Sequence, residues 1–523
     1  MEVATAVAMR NIDQRTIERF RVPGLVLMEN AGLALLQALQ ALWPNLIQRH
    51  VTILTGAGNN GGDGFILARH LWHRGTDVQV VMLAAAGRLR GDARRAYDMA
   101  RAYEVPLVSA TTPQAWARTA PVLKQTALII DAMLGTGLQR PVSGLYAEVI
   151  ASVNEVQKPT VAVDIPSGLS ADHGRVLGPH ICATHTVTFA LPKRGLLTFP
   201  AAAAVGELHI VDIGIPQAAV EAEGIDVAML QETDIRHMLP QRHPNAHKGS
   251  HGHVLVVAGS IGKSGAAVLA SRAALRAGAG LVTLAVPAGL NVAMEAQLTE
   301  VMTLPVAESP TGCMAAAAFD TIEAFLPKAS AMVLGPGLGV SPETMQLVQR
   351  VLQRTTVPVV LDADGLTLVA DDPQILQTCQ APLILTPHPG ELGRLLKVSP
   401  ADIQADRLDV ALDFVRDTRV HLILKGAHTV IYTPDGHRWV NCTGNAAMAT
   451  AGTGDVLAGL IGALLAQGLS PLQAAQGGVY LHGLAGDQVC AGLGSTGLIA
   501  SDLIYELPHV MHRVRQGEIC QTS

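Results

Sequence analysis

The chain has 523 residues, and its 37 basic and 43 acidic side chains give a formal charge of −6 at pH 7. Hydrophobic residues make up 49% and charged residues 15%, so the chain can bury sizeable cores and is not a disordered scaffold. With 3% aromatic residues and an acidic balance, it offers little for stacking bases or attracting phosphodiester backbones. The composition therefore predicts a globular protein with no nucleic-acid partner, and the length fits two large domains.

Neither a membrane span nor a secretion signal is predicted. The longest apolar stretch, near residues 456–466, is shorter than the roughly 20 residues that a span needs. Charges fall where a signal peptide would have its apolar region. The six cysteines, at positions 182, 313, 379, 442, 490 and 520, are widely spaced, so we expect reduced core residues and neither disulfides nor a zinc site. A soluble, cytoplasmic protein is expected.

The first half of the chain alternates short β-branched runs with helical stretches. Residues 25–43 have apolar positions at helical spacing and predict a leading helix. The order of strand, loop, helix and strand that follows is typical of a doubly wound α/β sheet that is mostly parallel, with helices on both faces. The predicted strands are 51–54, 78–83, 127–131, 160–164, 186–191 and 207–213.

A second α/β series follows a segment of different composition and periodicity. Residues 216–247 carry more charge and no sustained periodicity, which places a domain boundary near 220–240. The predicted strands after it are 253–259, 281–286, 331–335, 358–364, 382–389 and 421–426. This series is expected to end in a long apolar helix at 455–469. Glycine-rich loops at strand ends in both halves predict two ligand sites.

The densest signal of the first half is GAGNNGGDG at 56–64, between a strand and a helix. Its glycines let backbone N–H groups approach a phosphate, next to the positive end of the helix. Gly56, Gly58 and Gly61 satisfy G-x-G-x-x-G, but no acid ends the second strand to hold a ribose, so hydride transfer is disfavoured. A tight turn without a ligand remains the alternative.

Polar side chains follow two other predicted strands of this half. Asp131 and Asp164 each end a strand, and the topology predicts that both face a crevice with Asn60 and Ser167. Oxygen ligands of this kind suit a hard, weakly held cation. Each aspartate taken alone could equally cap the following turn.

These motifs together resemble the NAD(P)H-hydrate epimerase domain over about residues 1–215. The matching segments are VPGLVLMENAG at 22–32, NNGGDG at 59–64, DAMLGTGLQRP at 131–141 and VDIPSGL at 163–169. The resemblance implies a K⁺ ion held by Asn60, Asp131 and Ser167, with Asp164 a candidate acid–base group. Related domains in mRNA-decapping scaffolds bind partners without this chemistry. The dinucleotide would be bound by Asn59, Asn60, Gly61, Gly62, Asp63, Gly135, Thr136, Gly137, Leu138, Gln139, Arg140, Pro141 and Asp164.

The sharpest signal of the second half is TAGTGDVLAG at 450–459, which opens the long apolar helix. Gly452 and Gly454 leave N–H groups free at the helix start, so an anion hole forms beside Asp455. A carboxylate there can take the proton of a hydroxyl group while the hole holds a transferring phosphoryl group. Alone, Asp455 could be an ordinary acid of a first helical turn. Three glycine- or proline-rich strand ends precede it, at 259–265, 335–339 and 386–391.

Other residues of the second half permit two interpretations. KGAHT at 425–429 either offers a lysine to a nucleotide phosphate or is a surface turn. His251 and His253 lack partners at metal-ligand spacing and are expected to be structural.

The GTGD element resembles the ribokinase-like superfamily, and together with GPGLG and HPGE it resembles the nucleotide-dependent NAD(P)H-hydrate dehydratase over about residues 225–515. Ala446 and Ala447 depart from the Pro-Gly pair expected there, which leaves the shape of the nucleotide loop open. By this resemblance the hydrated dinucleotide contacts Ala266, Gly337, His388 and Asp455. The adenine nucleotide would contact Lys425, Gly426, Ala427, His428, Thr429 and Gly454.

The two resemblances imply one repair activity. A Rossmann-like domain at 1–218 would interconvert the R and S epimers of hydrated NADH and NADPH. A ribokinase-like domain at 225–515 would dehydrate the S form with Mg²⁺ and ADP, giving AMP and phosphate. The fused arrangement resembles bacterial enzymes that favour ADP, and a homo-oligomer is expected. The alternative is a ribokinase-like small-molecule kinase fused to a non-catalytic Rossmann-like binding module.

Overall fold

The computed structural model describes residues 1–518, which form two compact units. The division lies between Asp226 and Val227. The predicted boundary region, residues 216–247, contains regular structure. A helix at Gln217–Glu221 packs on the first unit, and a strand at Val227–Met229 joins the sheet of the second.

The first unit is built on a seven-stranded, fully parallel sheet. Its strands are β1 (His50–Thr55), β2 (Asp77–Met82), β3 (Leu107–Ser109), β4 (Leu128–Ala132), β5 (Thr160–Val163), β6 (His185–Phe189) and β7 (Glu207–Val211). Its helices are α1 (Ala6–Glu18), α2 (Gly24–Leu42), α3 (Asn59–His73), α4 (Gly91–Ala102), α5 (Pro113–Thr119), α6 (Val122–Gln125), α7 (Leu145–Val156) and α8 (Gln217–Glu221). All six predicted strands are confirmed within two residues at each end, and the short edge strand β3 was not predicted.

The strand order β3-β2-β1-β4-β5-β6-β7 reverses direction between β1 and β4. Parallel α/β sheets bind ligands at such a switch point, outside the carboxyl ends of the strands. The segments that follow β1 and β4 therefore meet at one edge, and a side chain at Gly56 would collide with the carbonyl oxygen of Met133.

Helix α2 is the only helix of residues 1–518 that is long and apolar enough to cross a membrane by length and composition alone. It corresponds to the leading helix predicted over residues 25–43, and Glu29 and Asn30 interrupt its apolar run. One face is buried at helical spacing and packs into the core of the first unit. The same length and hydropathy are found in core helices.

The second unit has a ten-stranded sheet in the order β11-β10-β9-β12-β13-β14-β15-β16-β17-β8. Neighbours are parallel except for the antiparallel pairs β15–β16 and β16–β17. The strands are β8 (Val227–Met229), β9 (His253–Val257), β10 (Leu281–Pro287), β11 (Met302–Val306), β12 (Ala331–Leu334), β13 (Val359–Leu361), β14 (Leu383–Leu385), β15 (His421–Leu424), β16 (Thr429–Tyr432) and β17 (Arg438–Asn441). The six predicted strands are confirmed, although 358–364 and 382–389 extend into loops, whereas β8, β11, β16 and β17 were missed.

The helices of the second unit cover both faces of this sheet. They are α9 (Glu232–Met238), α10 (Ser264–Arg276), α11 (Asn291–Gln297), α12 (Ala318–Phe325), α13 (Pro342–Arg354), α14 (Asp364–Val369), α15 (Pro389–Leu396), α16 (Pro400–Ala405), α17 (Leu412–Thr418), α18 (Thr453–Ala466), α19 (Pro471–Leu493) and α20 (Ala500–Gln516). The apolar helix α18 is confirmed and packs on α10 in the core. It does not end the unit, because α19 and α20 follow and pack beside it.

The cysteines within residues 1–518 form no disulfides, as expected. The expectation that all are core residues is wrong for Cys182, which is exposed three residues before β6. Cys520 lies outside the described residues.

Candidate active sites

A cleft of about 620 Å³ opens at the switch point of the first unit. Its wall is formed by α1, α2, the start of α3 and the segments after β4 and β5. It brings together many of the residues predicted to bind a dinucleotide. Those lining it are Asn59, Asn60, Asp63, Gly135, Thr136, Gly137, Leu138 and Asp164.

The other predicted dinucleotide residues do not line the cleft. Helix α3 begins at Asn59, earlier than the sequence suggested, so Gly61 and Gly62 are buried in its first turn. A side chain at Gly61 would lie 2.4 Å from the Gly56 carbonyl oxygen, and its absence allows α3 to pack against the loop before it. The remaining predicted dinucleotide residues are exposed and do not line the cleft. They are Gln139, Arg140 and Pro141.

Asp164 is held in the cleft by a buried lysine that the sequence analysis missed. Lys193 is 2% exposed and donates hydrogen bonds to Asp164, to Oγ1 of Thr188 (2.9 Å) and to the carbonyl oxygen of Phe189 (3.1 Å). Thr188 also donates to Asp164 Oδ1 at 3.1 Å. Asp164 has φ +66°, in the left-handed region. The carboxylate is therefore fixed in position, and its charge is balanced by one ammonium group.

Two further carboxyl groups crowd the same cleft. Burial, together with the nearby Asp164 and Asp13 charges, raises the pKa of Asp63 well above its usual range. Burial also raises the pKa of Asp13 to about 6, although Lys193 opposes the shift. Asp13 comes from α1, far from any sequence motif. The cleft thus combines a fixed carboxylate with two carboxyl groups whose pKa values are raised, a combination found at sites of proton transfer.

An oxygen-rich cluster adjoins the cleft, which Asn60 and Leu134 of this cluster also line. Asp131 is fully buried and accepts hydrogen bonds from Oγ (2.6 Å) and the backbone N–H (2.8 Å) of Ser167. Burial raises the pKa of Asp131 to about 6, opposed by these Ser167 hydrogen bonds. Asn60 Nδ2 donates to the carbonyl oxygen of Leu134 at 3.3 Å, and Ser167 Oγ accepts from the Leu134 backbone N–H at 2.9 Å. The predicted crevice is therefore divided, since Asp131 and Ser167 face this cluster and Asp164 faces the cleft.

The cluster fits a hard cation by its donor atoms. Within residues 1–518, Asn60 Oδ1 is buried without a hydrogen-bond partner. A carboxylate, a hydroxyl group and a backbone carbonyl lie beside it. These are the oxygen ligands that such cations prefer.

In the second unit, the start of α18 meets the carboxyl ends of the parallel strands. Gly452 precedes the helix with φ +90°, which lets the chain turn into α18. The first N–H groups of a helix have no intrahelical acceptor, so they can face an anion. His482 of α19 contacts the carbonyl oxygen of Thr453 at 2.9 Å, and burial lowers the pKa of His482 to about 4, so the neutral ring donates there. Asp455 lies in the first turn of this anchored helix.

Asp455 faces charged groups rather than packed hydrocarbon. Lys425 Nζ lies 2.8 Å from Asp362 Oδ1 and 3.8 Å from Glu391 Oε2, and a side chain at Gly454 would come within 3.3 Å of that ammonium. Although burial opposes it, the Asp362 and Glu391 carboxylates raise the pKa of Lys425. Burial first, and then the neighbouring carboxylates, raise the pKa of Asp455 to about 7.

Carboxylates outnumber cations at this edge of the sheet. Asp362 is buried, and Asp364 accepts hydrogen bonds from Lys263 Nζ and the Gly339 backbone N–H, both at 2.8 Å. The four carboxyl groups at positions 362, 364, 391 and 455 face two lysines. A surplus of hard oxygen donors next to free helical N–H groups fits Mg²⁺ together with an anionic ligand.

The predicted contacts to a hydrated dinucleotide are only partly brought together. Gly337, with φ +62°, packs against Ala266 at the start of α10, so these two residues adjoin. His388 caps α15, since its Nδ1 accepts from the N–H groups of Gly390 (3.0 Å) and Glu391 (3.3 Å). The ring is 51% exposed, and Nε2 lies 3.4 Å from Glu391. His388 therefore has a local structural role as well as an accessible edge.

The predicted nucleotide residues form a hairpin turn between β15 and β16. Lys425 is drawn inward by Asp362, whereas Gly426 and Ala427 are exposed and His428 has φ +51°. Thr429 Oγ1 closes the turn by donating to the carbonyl oxygen of Gly426 at 3.0 Å. KGAHT is thus a surface turn whose first residue points into the site, and the contact of Lys425 with a nucleotide phosphate stays a prediction.

The loop with the unexpected alanines is a single 3₁₀ turn, Ala446–Met448. Asn445 Oδ1 accepts from the Ala447 N–H at 3.0 Å, and Asn445 Nδ2 donates to Asp487 Oδ1 at 2.8 Å. Gly444 N–H donates to the other Asp487 oxygen at 2.8 Å. Asp487 on α19 therefore holds this loop in place by hydrogen bonds, where a Pro-Gly pair was expected to determine its shape.

His251 and His253 also have the structural character that was expected of them. His253 donates to or accepts from Thr283 Oγ1 at 2.8 Å and packs edge-on against Phe325. His251 is buried at the end of a short 3₁₀ turn.

Together the two units define a class: an enzyme that joins a Rossmann-like unit and a ribokinase-like unit on one chain, each with a candidate site at the carboxyl ends of its parallel strands. Residues 24–195 match the family described as YjeF-related protein N-terminus, and residues 254–509 match NAD(P)H-hydrate dehydratase. The bifunctional NAD(P)H-hydrate repair enzyme Nnr of Moorella thermoacetica is 43% identical over 517 residues, 99% of this chain and 98% of the relative. Its counterpart in Coxiella burnetii is 38% identical over 511 residues, 96% and 98% of the two chains.

The chain therefore belongs to the family of bifunctional NAD(P)H-hydrate repair enzymes. Among solved structures, an ADP/ATP-dependent NAD(P)H-hydrate dehydratase from Bacillus subtilis, co-crystallized with ATP/Mg²⁺, is 31% identical. It covers 55% of this chain and 99% of its own, with a TM-score of 0.48.

Proposed function

We propose that this chain repairs hydrated NADH and NADPH, with an epimerase in the first unit and a nucleotide-dependent dehydratase in the second. Kinship over the full length of the named relatives supports both activities. The observation that carries the dehydratase is the position of Asp455, at an anchored helix start and with a pKa raised to about 7 by burial and neighbouring carboxylates.

In the epimerase, the hydrated ring would bind in the cleft against Asp164. Interconverting the epimers requires a bond to break and re-form at the hydroxyl-bearing carbon, which an acid–base group can assist. Asp164 is proposed to accept the hydroxyl proton as the C=O bond forms and the ring C–N bond breaks, and to pass it to the ring nitrogen. Closure of the ring on the other face reverses these steps, and Lys193 is the positioning residue that fixes the carboxylate. Asp63, with its raised pKa, is suited to carry a proton next to it. The start of α3 and the residues 135–138 would hold the dinucleotide phosphates.

In the dehydratase, hydroxide is a poor leaving group, so the hydroxyl group must first be activated. Asp455 would take the hydroxyl proton as the oxygen attacks the terminal phosphorus of the nucleotide. The N–H groups at the start of α18 would hold the transferring phosphoryl group. Phosphate then departs with the C–O bond pair, and loss of a proton from the adjacent ring carbon restores the double bond.

Two cations are proposed from the donor sets. Asn60, Asp131 and Ser167 would hold K⁺ beside the epimerase cleft, where the unpartnered Asn60 oxygen supports it. Asp362, Asp364 and Glu391 are candidates to hold Mg²⁺, which would offset the charge of the nucleotide phosphates. We propose that ADP is the phosphoryl donor and that AMP and phosphate are formed with the S epimer as substrate. This choice rests on the resemblance to fused bacterial enzymes.

The setting of the enzyme is also proposed. Free cysteines within residues 1–518 are typical of a reducing compartment, which supports the cytoplasm. We propose small-molecule substrates, a homo-oligomeric state, and no membrane or nucleic-acid partner.

The test is repair of an epimer mixture of hydrated NADH with Mg²⁺ and either ADP or ATP, followed by absorbance of the dihydronicotinamide. Asp164→Asn keeps the left-handed backbone that asparagine tolerates and removes the charge. We expect it to convert one epimer at the normal rate and the other at the spontaneous rate. Normal epimer exchange by Asp164→Asn contradicts the epimerase assignment. A stable phosphorylated product would identify a small-molecule kinase instead.

A further inference from the structure

Three ligand-type side chains converge on the open edge of the first unit, outside the cleft. His185 lies at the start of β6, and Glu207 and His209 lie two residues apart on the edge strand β7. His185 pairs in register with Glu207, so all three side chains project from the same face of the sheet. None of them lines the cleft. We name this group the edge triad.

The distances within the edge triad match those between ligands of one metal ion. Nδ1 of His185 lies 3.1 Å from Nε2 of His209, and the two Glu207 oxygens lie 3.4 Å from His185 and 3.5 Å from His209. Ligands bound tetrahedrally at about 2.0–2.1 Å are about 3.3 Å apart. The two nitrogens therefore have the spacing of two ligands of one such ion, and each lies at a similar distance from a different oxygen of Glu207, so the carboxylate can supply the third ligand.

The chemistry of the edge triad also favours a cation. Two imidazole nitrogens and a carboxylate lie close to one another, and a single ring N–H can satisfy only one of those contacts. Trp43 packs edge-on against His185 at 5.3 Å and fixes its ring. Side-chain exposures of 20–29% leave an outward position for water.

We propose that His185, Glu207 and His209 bind one divalent transition-metal ion of the Zn²⁺ class, which joins β6 to the edge strand β7. Two nitrogen ligands and one oxygen ligand with an open fourth position suit Zn²⁺. Neither the repair reaction nor the predicted cation sites use these residues.

The test is a Zn²⁺ titration of the full-length, untagged chain, freed of metals with a chelator and kept in K⁺ buffer without nucleotide. We expect the wild type to bind one more equivalent of Zn²⁺ than His209→Gln and Glu207→Gln, or to bind it at least about 100-fold more tightly. Zn²⁺ should also raise the unfolding temperature of the wild type and leave that of the two variants unchanged. The matched control is His173→Gln, which removes an exposed histidine of the same unit and should behave like the wild type.

Co²⁺ provides an independent readout, because a bound ion with nitrogen ligands has a visible absorption band that the variants should lack. If His209→Gln does not fold, the isosteric Glu207→Gln decides the matter. Equal stoichiometry and affinity for Zn²⁺ in the wild type and Glu207→Gln overturn the proposal. So does a wild type that binds no Zn²⁺ at millimolar concentration.

Discussion

Asp455 is unusual because its surroundings oppose the charge that its proposed role requires. Burial is the main cause, and the carboxylates of Asp362, Asp364 and Glu391 add to it, while Lys425 opposes. The resulting pKa of about 7 means that near neutral pH a sizeable fraction of the carboxyl groups is ionised. A general base is most effective when its pKa lies near the working pH. The environment thus tunes the group for proton transfer.

Replacing Asp455 with asparagine tests this role. We expect Asp455→Asn to reduce nucleotide-dependent repair by about 10²–10⁴-fold, the usual contribution of a general base. In the wild type, kcat/KM for dehydration should rise with pH through about 7 and then level off, because the carboxylate is the active form. Rates between pH 5.5 and 9 check both points. A full rate in the variant, or a wild-type profile that is flat across pH 7, contradicts the assignment.

The same variant reports on folding through its effect on stability. Asp455 has a pKa of about 7 in the folded chain and an ordinary value of 3.8, so it destabilises the fold increasingly as pH rises from about 4 to 7. Asparagine removes this effect. Asp455→Asn should therefore be more stable than the wild type, by up to about 4 kcal/mol above pH 7 at about 1.4 kcal/mol per pKa unit, and by less at pH 5.5. A less stable variant would mean that its lost activity reflects misfolding.

At the scale of elements, parallel strands that form continuous apolar runs could be predicted, and strands that depend on pairing with a neighbour could not. Buried parallel strands such as β4 and β5 are continuous apolar runs, which the sequence displays directly. The three-residue strands β3 and β8 owe their conformation to pairing with a neighbour, which no local pattern reveals. The long helix α19 has small residues all round and a weak periodicity, because it packs between α18 and α20.

The site residues also separate into those that a local sequence motif marks and those that only the fold brings together. Asp131, Asp164 and Asp455 end strands or begin helices in dense motifs, so their positions followed from topology. Lys193 and Asp362 were missed because each is a single charged residue whose partner is distant in sequence, by 29 residues for Asp164 and 63 for Lys425. Only the folded backbone brings these pairs together. The sequence offered one cue to the first site, namely that Asp131 and Asp164 stand at the ends of the neighbouring strands β4 and β5.

The start of α18 provides a prediction at this scale, with a matched control at the other end of the same helix. Gly452 and Gly468 have φ +90° and +94°, so alanine is strained at both. A side chain at Gly452 would also lie 2.6 Å from Leu269, whereas Gly468 faces open space. We expect Gly452→Ala to lower the unfolding temperature of the second unit more than Gly468→Ala, with a loss of about 2–4 kcal/mol against about 1–2 kcal/mol.

Activity should separate the two variants further. Gly452→Ala displaces the N–H groups beside Asp455 and should reduce dehydration at least about 10-fold, since lost oxyanion donors have effects of 10²–10³-fold. Gly468→Ala should dehydrate normally once folded, and both variants should epimerise normally because the first unit has its own core. Equal effects of the two substitutions on stability and dehydration would show that backbone strain alone matters at Gly452.

At the scale of the whole molecule, two units with separate sheets and cores carry two halves of one repair reaction. The dehydratase acts on one epimer, so the epimerase supplies it from the other. Each unit has the residues of its own site, and neither proposed mechanism needs a group from the other unit. A hydrated dinucleotide released by one unit can therefore be captured by the second unit of any chain in solution.

This independence predicts complementation between two inactive halves. Asp164→Asn alone should convert one epimer's share and then slow to the spontaneous rate, and Asp455→Asn alone should convert almost nothing. An equimolar mixture should carry an epimer mixture of hydrated NADH to completion, because one chain epimerises what the other dehydrates. The double variant Asp164→Asn with Asp455→Asn is the control, since mixing it with Asp455→Asn supplies no working dehydratase. If the mixture stops at one epimer's share although each chain retains its remaining activity, the epimer is passed within a chain and the two units are functionally coupled.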